Sequence, residues 1–285
     1  MDIMASSLTL AKNYRHLWAK SERGNIMSVS SKAFIASLVF AAASIILVVM
    51  FGGEPPAGSA PMAEGFKTPI LALEFARSLD DLAFLQGPEA AELRAHLMHV
   101  QSLDQYFPIA YAGMAALFFF ALVLRGQKLA WIGVALAVAT ILADWVENSY
   151  VDDLIRFSGP FHCVMINGGV PATSEEHCIF DSDVPENVMR FIDRNQRYQT
   201  IIPDLQISTW IKWGLIASYA AMMALLMFRD KRRILALPSV AASLAIVATY
   251  LSGSSGQVAE IILMTMPAFM LSFSIAAVMY LRSAN

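Results

Sequence analysis

A chain of 285 residues with 57% hydrophobic and only 15% charged side chains is too apolar for an ordinary soluble domain of its length. Its apolar residues come in runs of about 17 to 24, the length of a helix that crosses a bilayer. Two cysteines exclude a disulfide-dense scaffold, and the net charge of −3 conceals two signs that fall on different segments.

Residues 1–32 are polar and basic, with Lys12, Arg15, Lys20, Arg23 and Lys32, and read as a cytoplasmic tail. Met27 is an alternative start, because MSVSSK before AFIASLVFAAASIILVVMF has the order of a charged flank and an apolar stretch. That stretch exceeds the apolar region of a signal peptide, and Pro61 directly follows AGSA, the one cleavage candidate. Residues 33–51 are therefore assigned as the first span.

The linker 52–65 is rich in glycine, alanine and proline. From Pro69 to Leu85, Leu71, Phe75, Leu79 and Leu82 recur at spacings of three and four, which predicts one amphipathic helix with Glu74, Arg77 and Asp81 on its polar side. Gly87-Pro88 ends it and starts a second, in which Leu93, Leu97 and Val100 form the buried stripe. Glu92, His96 and His99 share a neighbouring face, a spacing that suits either a transition-metal site or a solvated polar face. A second span, about 106–124, follows Ser102-Leu103-Asp104-Gln105, a capping-box pattern that Pro108 complicates. The short turn RGQK then sets a third span, about 128–148, antiparallel to it.

Residues 149–207 form the longest loop, with Cys163 and Cys178 around Asn167-Gly168-Gly169 and a surface helix after Pro185. Spans four to six are expected at about 208–228, 235–251 and 259–281. The fold class is thus an all-α membrane protein: six transmembrane helices, amphipathic outer helices between 52 and 103, and one disulfide-stapled outer loop. With the N-terminus cytoplasmic, the inside segments hold twelve Lys and Arg against three acids, and the two outer loops seven against sixteen. Both termini are therefore expected in the cytoplasm. Cys163 and Cys178 then lie in an oxidising compartment, where a disulfide would contribute roughly 3 kcal/mol by loop-closure entropy. His162 and His177 beside them leave a two-Cys two-His metal site as the alternative.

Asp144, Glu147 and Asn148 occupy i, i+3 and i+4 of the third span and project from nearly one face. Asp104 enters the second span at the same depth, and Glu260 begins the sixth on that side. Carboxylates at a helix C-terminus inside a bilayer oppose the helix dipole and need a countercharge. Lys212, in TWIKW, is one source and Arg94 another. A divalent cation is a third: Ca²⁺ or Mg²⁺ on Asp104, Asp144 and Glu147, or Zn²⁺ if His96 or His99 joins them.

TPILALEFARS, LDQYFPIAYAGM and ADWVENSYVDDL together are similar to a recurring block in an uncharacterised family of bacterial multi-pass membrane proteins. The resemblance covers roughly residues 68–155 and, position by position, points to Glu74, Asp104, Phe107, Tyr111, Asp144, Glu147 and Asn148. It implies a bacterial plasma membrane and no particular chemistry.

Three functions compete. One is a structural or interaction module of a membrane complex, as a subunit or homo-oligomer in the lipid bilayer. It fits a chain whose spans contain no histidine pair for haem, no Cys-x-x-Cys and no glycine-rich phosphate loop. The second is a metal-dependent hydrolase or transferase acting on lipid at the outer leaflet, with Asp104, Asp144 and Glu147 as ligands or base. The third is a small transporter, which would place acids near mid-bilayer in broken helices. No nucleic-acid partner is expected, since RDKRR at 229–233 reads as a cytoplasmic retention charge. The scattered methionines read as core filler, and Trp131, Trp145, Trp210 and Trp213 as an interfacial belt.

Overall fold

Apolar runs bounded by Gly, Ser and Arg turns become helices here because a bilayer leaves backbone groups no partner outside the helix itself. A computed structural model describes residues 28–158 and 185–283, with side chains in the second stretch from residue 200 onward. The described residues are helical or in short connections, with no strand. In chain order the helices are α1 (Val29–Met50), α2 (Pro69–Glu74), α3 (Ala91–Asp104), α4 (Phe107–Leu124), α5 (Ala130–Phe157), α6 (Pro185–Arg229), α7 (Arg233–Leu251) and α8 (Gly256–Arg282). Two 3-10 turns, Asp80–Leu85 and Pro88–Ala90, join α2 to α3. Six stretches are long and apolar enough to cross a membrane: α1, α3 running into α4, α5, the part of α6 from Thr200, α7 and α8. Among the described residues the fold is all-helical, with six helices suited to a multi-pass membrane protein. Cys163 and Cys178, and the hairpin expected around them, lie outside the described residues.

The spans form a closed ring in which each packs on the next and α8 returns to α1. Its interior is aromatic: Phe118 and Phe119 of α4 meet Phe273 of α8 edge to face at 5.1 and 5.6 Å, and Phe269 and Tyr219 continue the stack. At one end Arg125 lies over the stacked rings of Phe34 and Tyr280, and Arg232 lies 4.1 Å over Tyr280. Part of the RDKRR charge therefore seals the bundle, through cation–π contact, in addition to any part in orientation.

At the other end, a second apolar core forms beyond the ring. Leu73, Leu82, Phe84, Leu93 and Leu97 of the outer segment pack against Val151, Leu154 and Ile155 of α5 and Ile201, Ile202 and Leu205 of α6. The third span was expected to finish at 148; α5 instead continues to Phe157, because Val151, Leu154 and Ile155 keep the helical spacing that this platform buries.

The single amphipathic helix expected over 69–85 is broken. The α-helix stops at Glu74, and the Asp81 carboxylate accepts from the Arg77 and Ser78 backbone N–H groups at 2.8 and 3.0 Å, which folds the chain into the first 3-10 turn. Glu74, expected on the polar side, is buried as a result. The Ser102–Gln105 capping box does not form either. Helix α3 runs through Ser102, whose hydroxyl donates to the His99 carbonyl, and the interruption falls at Gln105 and Tyr106, just before Pro108. A proline ring clashes with the carbonyl four residues back, here that of Asp104, so the break is where proline requires it.

The outer segment is tied down by Glu260, whose carboxylate accepts the Lys67 and Thr68 N–H groups, both at 2.8 Å, and the Thr68 hydroxyl at 3.0 Å. Gly256 makes that approach feasible. A Cβ there would stand 2.5 Å from the Phe66 nitrogen and 2.7 Å from the Glu64 carbonyl oxygen, both backbone atoms. Gly256→Ala is accordingly expected to destabilise the fold by about 1–3 kcal/mol, the range for overpacking. Thermal unfolding of the purified protein in detergent checks this, and a melting temperature equal to wild type would refute it.

Candidate functional site

Two helical triads face each other where the aromatic bundle gives way to the outer platform. Asp144, Glu147 and Asn148 come from α5, and Thr209, Lys212 and Trp213, again at i, i+3 and i+4, from α6. Glu147 is 0% exposed and Asp144 and Lys212 5% each, so the α5 acids turn into the protein and are sheltered from solvent. The Lys212 ammonium pairs with the Glu147 carboxylate and, at 3.1 Å, with Glu74 Oε1 from the end of α2. The Thr209 hydroxyl is 2.7 Å from Glu147 Oε1 and 3.2 Å from the Glu74 carbonyl oxygen; with a single proton it donates mainly to the nearer carboxylate. The Trp213 indole N–H donates to Glu74 Oε2 at 3.2 Å, and its ring lies 5.0 Å from the Lys212 ammonium. Trp213 belongs to this interior and not to an interfacial belt.

A fourth helix closes the arrangement, since the Tyr111 hydroxyl of α4 donates to the Asp144 carboxylate. Asp104, half-buried at the end of α3, lies within electrostatic reach of Asp144, Lys212 and Glu74. The Asn148 amide faces Asp104, yet its Nδ2 closes no hydrogen bond of ordinary geometry. Gln101 Nε2 donates to the Asn148 carbonyl at 3.2 Å while its own Oε1 is left without a partner. The edge of the network toward α3 therefore carries one unmet donor and one unmet acceptor.

Other residues singled out from the sequence are elsewhere or do other work. His99 is exposed, and the His96 ring lies against Gly52 in the linker. Among the described residues no three His, Cys, Asp or Glu side chains are arranged to hold a metal ion. The Phe107 ring packs on Phe51 and Tyr111 at 5.3 and 5.1 Å. Arg94 donates to the Leu85 and Gly87 carbonyls at 2.6 and 2.7 Å and so holds the 3-10 turns onto α3. Glu260 ties the outer segment, as described above.

Thr209 and Gln101 carry no acid, base or metal ligand and drew no attention as sequence. For Thr209 the signal was available: it stands three residues before Lys212 on the same helical face.

Beside this network an open cleft of about 450 Å³ reaches Glu74 from outside, lined by Phe75, Arg77, Gln206, Trp210 and Tyr250 among others.

An ammonium held by two buried carboxylates is costly to remove on one side only, because both acids are then left unpaired away from water. Lys212→Met is expected to lower stability by about 3–5 kcal/mol. The double variant Lys212→Met with Glu147→Gln should recover part of the loss. Detergent unfolding curves of the three proteins measure both, and a single variant as stable as wild type would contradict the pairing.

No family model, no curated protein and no solved structure matches this chain, and its function is argued from its own residues.

Proposed function

We propose that this protein is a structural or interaction module of a membrane complex, in which buried acid–lysine pairing fastens an outer platform onto a six-span bundle. One observation carries the reading: Lys212 is engaged by carboxylates from two separate segments, Glu74 of the platform and Glu147 of the bundle. Acids used in this way act as fasteners. A lipid hydrolase would need Asp104, Asp144 and Glu147 open toward a metal, whereas Asp144 is capped by Tyr111 and Glu147 by Lys212 and Thr209.

The proposal extends to placement. Twelve basic residues on the segments flanking one face, against seven on the other, support cytoplasmic termini and an outer platform. The similarity of the hairpin to a bacterial family supports a bacterial plasma membrane. A Cys163–Cys178 disulfide in the loop between α5 and α6 belongs to the same proposal, as does a partner subunit or second copy on the platform. The carboxylate group at the outer rim serves as the platform's anchor.

Hydrogen exchange of the protein in detergent tests the fastening. In Lys212→Met, amides of residues 66–85 are expected to exchange at least tenfold faster. Elemental analysis of wild type beside Asp144→Asn tests the competing chemistry. Stoichiometric metal in the first and none in the second would replace this reading with a metal-dependent enzyme.

A further inference from the structure

The cleft outside Glu74 has a composition that neither core nor lipid contact explains. Its wall is aromatic: Trp210 meets Tyr250 edge to face at 5.0 Å and Phe75 at 5.4 Å. Its polar groups are of both signs. Glu74 lies at the inner end, and Arg77, three residues further along the chain and beyond the end of α2, is exposed at the mouth with no carboxylate paired to its guanidinium among the described residues. The Arg77 guanidinium is directed toward the turn between α7 and α8, where an added Gly253 Cβ would be 3.8 Å from Nη1.

That turn is itself unusual. Ser254 follows Gly253 with φ near +60°, a left-handed conformation that costs a non-glycine residue about 1–2 kcal/mol. Ser254 is nevertheless buried, and it lines the cleft. A glycine would relieve the backbone, but only serine brings a hydroxyl to this wall. Strain of this kind persists where the surrounding structure holds it, often at ligand sites.

Position narrows the ligand. Tyr250 and Leu251, at the cleft rim, are 62% and 77% exposed at the end of a membrane-spanning helix. Tyrosine at a span end sits at headgroup level, and an arginine beside it reaches phosphates while its stem covers apolar surface. We propose that this cleft binds the headgroup of a zwitterionic aminophospholipid. The phosphate rests on Arg77 and the Ser254 hydroxyl. The primary ammonium enters toward the free lone pairs of Glu74 and the faces of Trp210 and Tyr250, where cation–π attraction adds to charge pairing. An anionic headgroup without the ammonium would keep the phosphate contact with Arg77 but forgo the contacts with Glu74 and the aromatic faces. A quaternary ammonium could not donate a hydrogen bond there. The site stands whether or not the platform meets a partner.

Native mass spectrometry of the full chain, released from nanodiscs of defined lipid, tests the assignment. Phosphatidylethanolamine is expected to remain bound at about tenfold higher occupancy ratio than phosphatidylglycerol or phosphatidylcholine. Arg77→Gln, an exposed substitution, should lower that ratio about tenfold, as loss of a charge-assisted contact predicts, while Arg156→Gln, whose guanidinium pairs with Asp152 and does not line the cleft, should leave it unchanged. Equal retention of all three lipids, or an Arg77→Gln protein that retains phosphatidylethanolamine like wild type, would overturn the site. Glycerophosphoethanolamine binding as tightly as the lipid would overturn the lipid assignment in favour of a soluble zwitterion.

Discussion

The structure depends on one ammonium group. Lys212 is the only Lys or Arg between Thr200 and Phe228, and taking its charge out of water costs several kcal/mol unless partners return that energy. Here they come from two parts of the chain far apart in sequence, Glu74 before the second span and Glu147 late in the third. A hydrophobic contact at the same place would be as strong but not as selective. Apolar surfaces slide and repack, whereas two carboxylates on one Nζ specify which turn of α2 meets which turn of α6. Thr209 and Trp213 add hydrogen bonds of fixed direction to the same carboxylates, so the register of the platform on the bundle is set by polar contacts.

How much of this was legible before any coordinates follows from which forces act locally. The spans were legible because a bilayer demands long apolar helices whatever they pack against, and the short RGQK turn set α5 packing against α4. Lys212 was visible as a charge in an apolar run. Glu74 was misplaced because periodicity assumes that a helix continues. The Asp81 carboxylate ended this one early by capturing two backbone N–H groups, and the face on which Glu74 would have been solvated ceased to exist. The continuation of α5 beyond 148 depends on Val151, Leu154 and Ile155 facing a second core, a tertiary contact that the hydrophobicity of the span does not encode. Trp213 was taken for an interfacial residue because belt tryptophans and buried ones have the same sequence; only the neighbour of its indole N–H distinguishes them.

The two apolar cores explain why charge collects where it does. Helix α5 has 28 residues, which at 1.5 Å per residue is about 42 Å, against roughly 30 Å of hydrocarbon. Its excess, together with the turns of α6 that carry Ile201, Ile202 and Leu205, must be covered by something other than lipid tails, and the platform of α2, α3 and the 3-10 turns covers it. At the seam between bundle and platform, side chains from four segments converge largely buried. A polar network at such a seam is satisfied from within or not at all. On the α6 side it is satisfied by Lys212, Thr209 and Trp213. Toward α3 it is open, with Gln101 Oε1 and Asn148 Nδ2 unmet beside Asp104. The asymmetry follows the chain: α6 passes the seam as an unbroken helix and can present three side chains in register, whereas the chain at α3 is interrupted by Pro108 in the very turn that carries Asp104. A break in the helix costs the regular spacing by which facing triads meet. The tight part of the network therefore lies where α6 faces α5, and the loose part where α5 faces the interrupted α3.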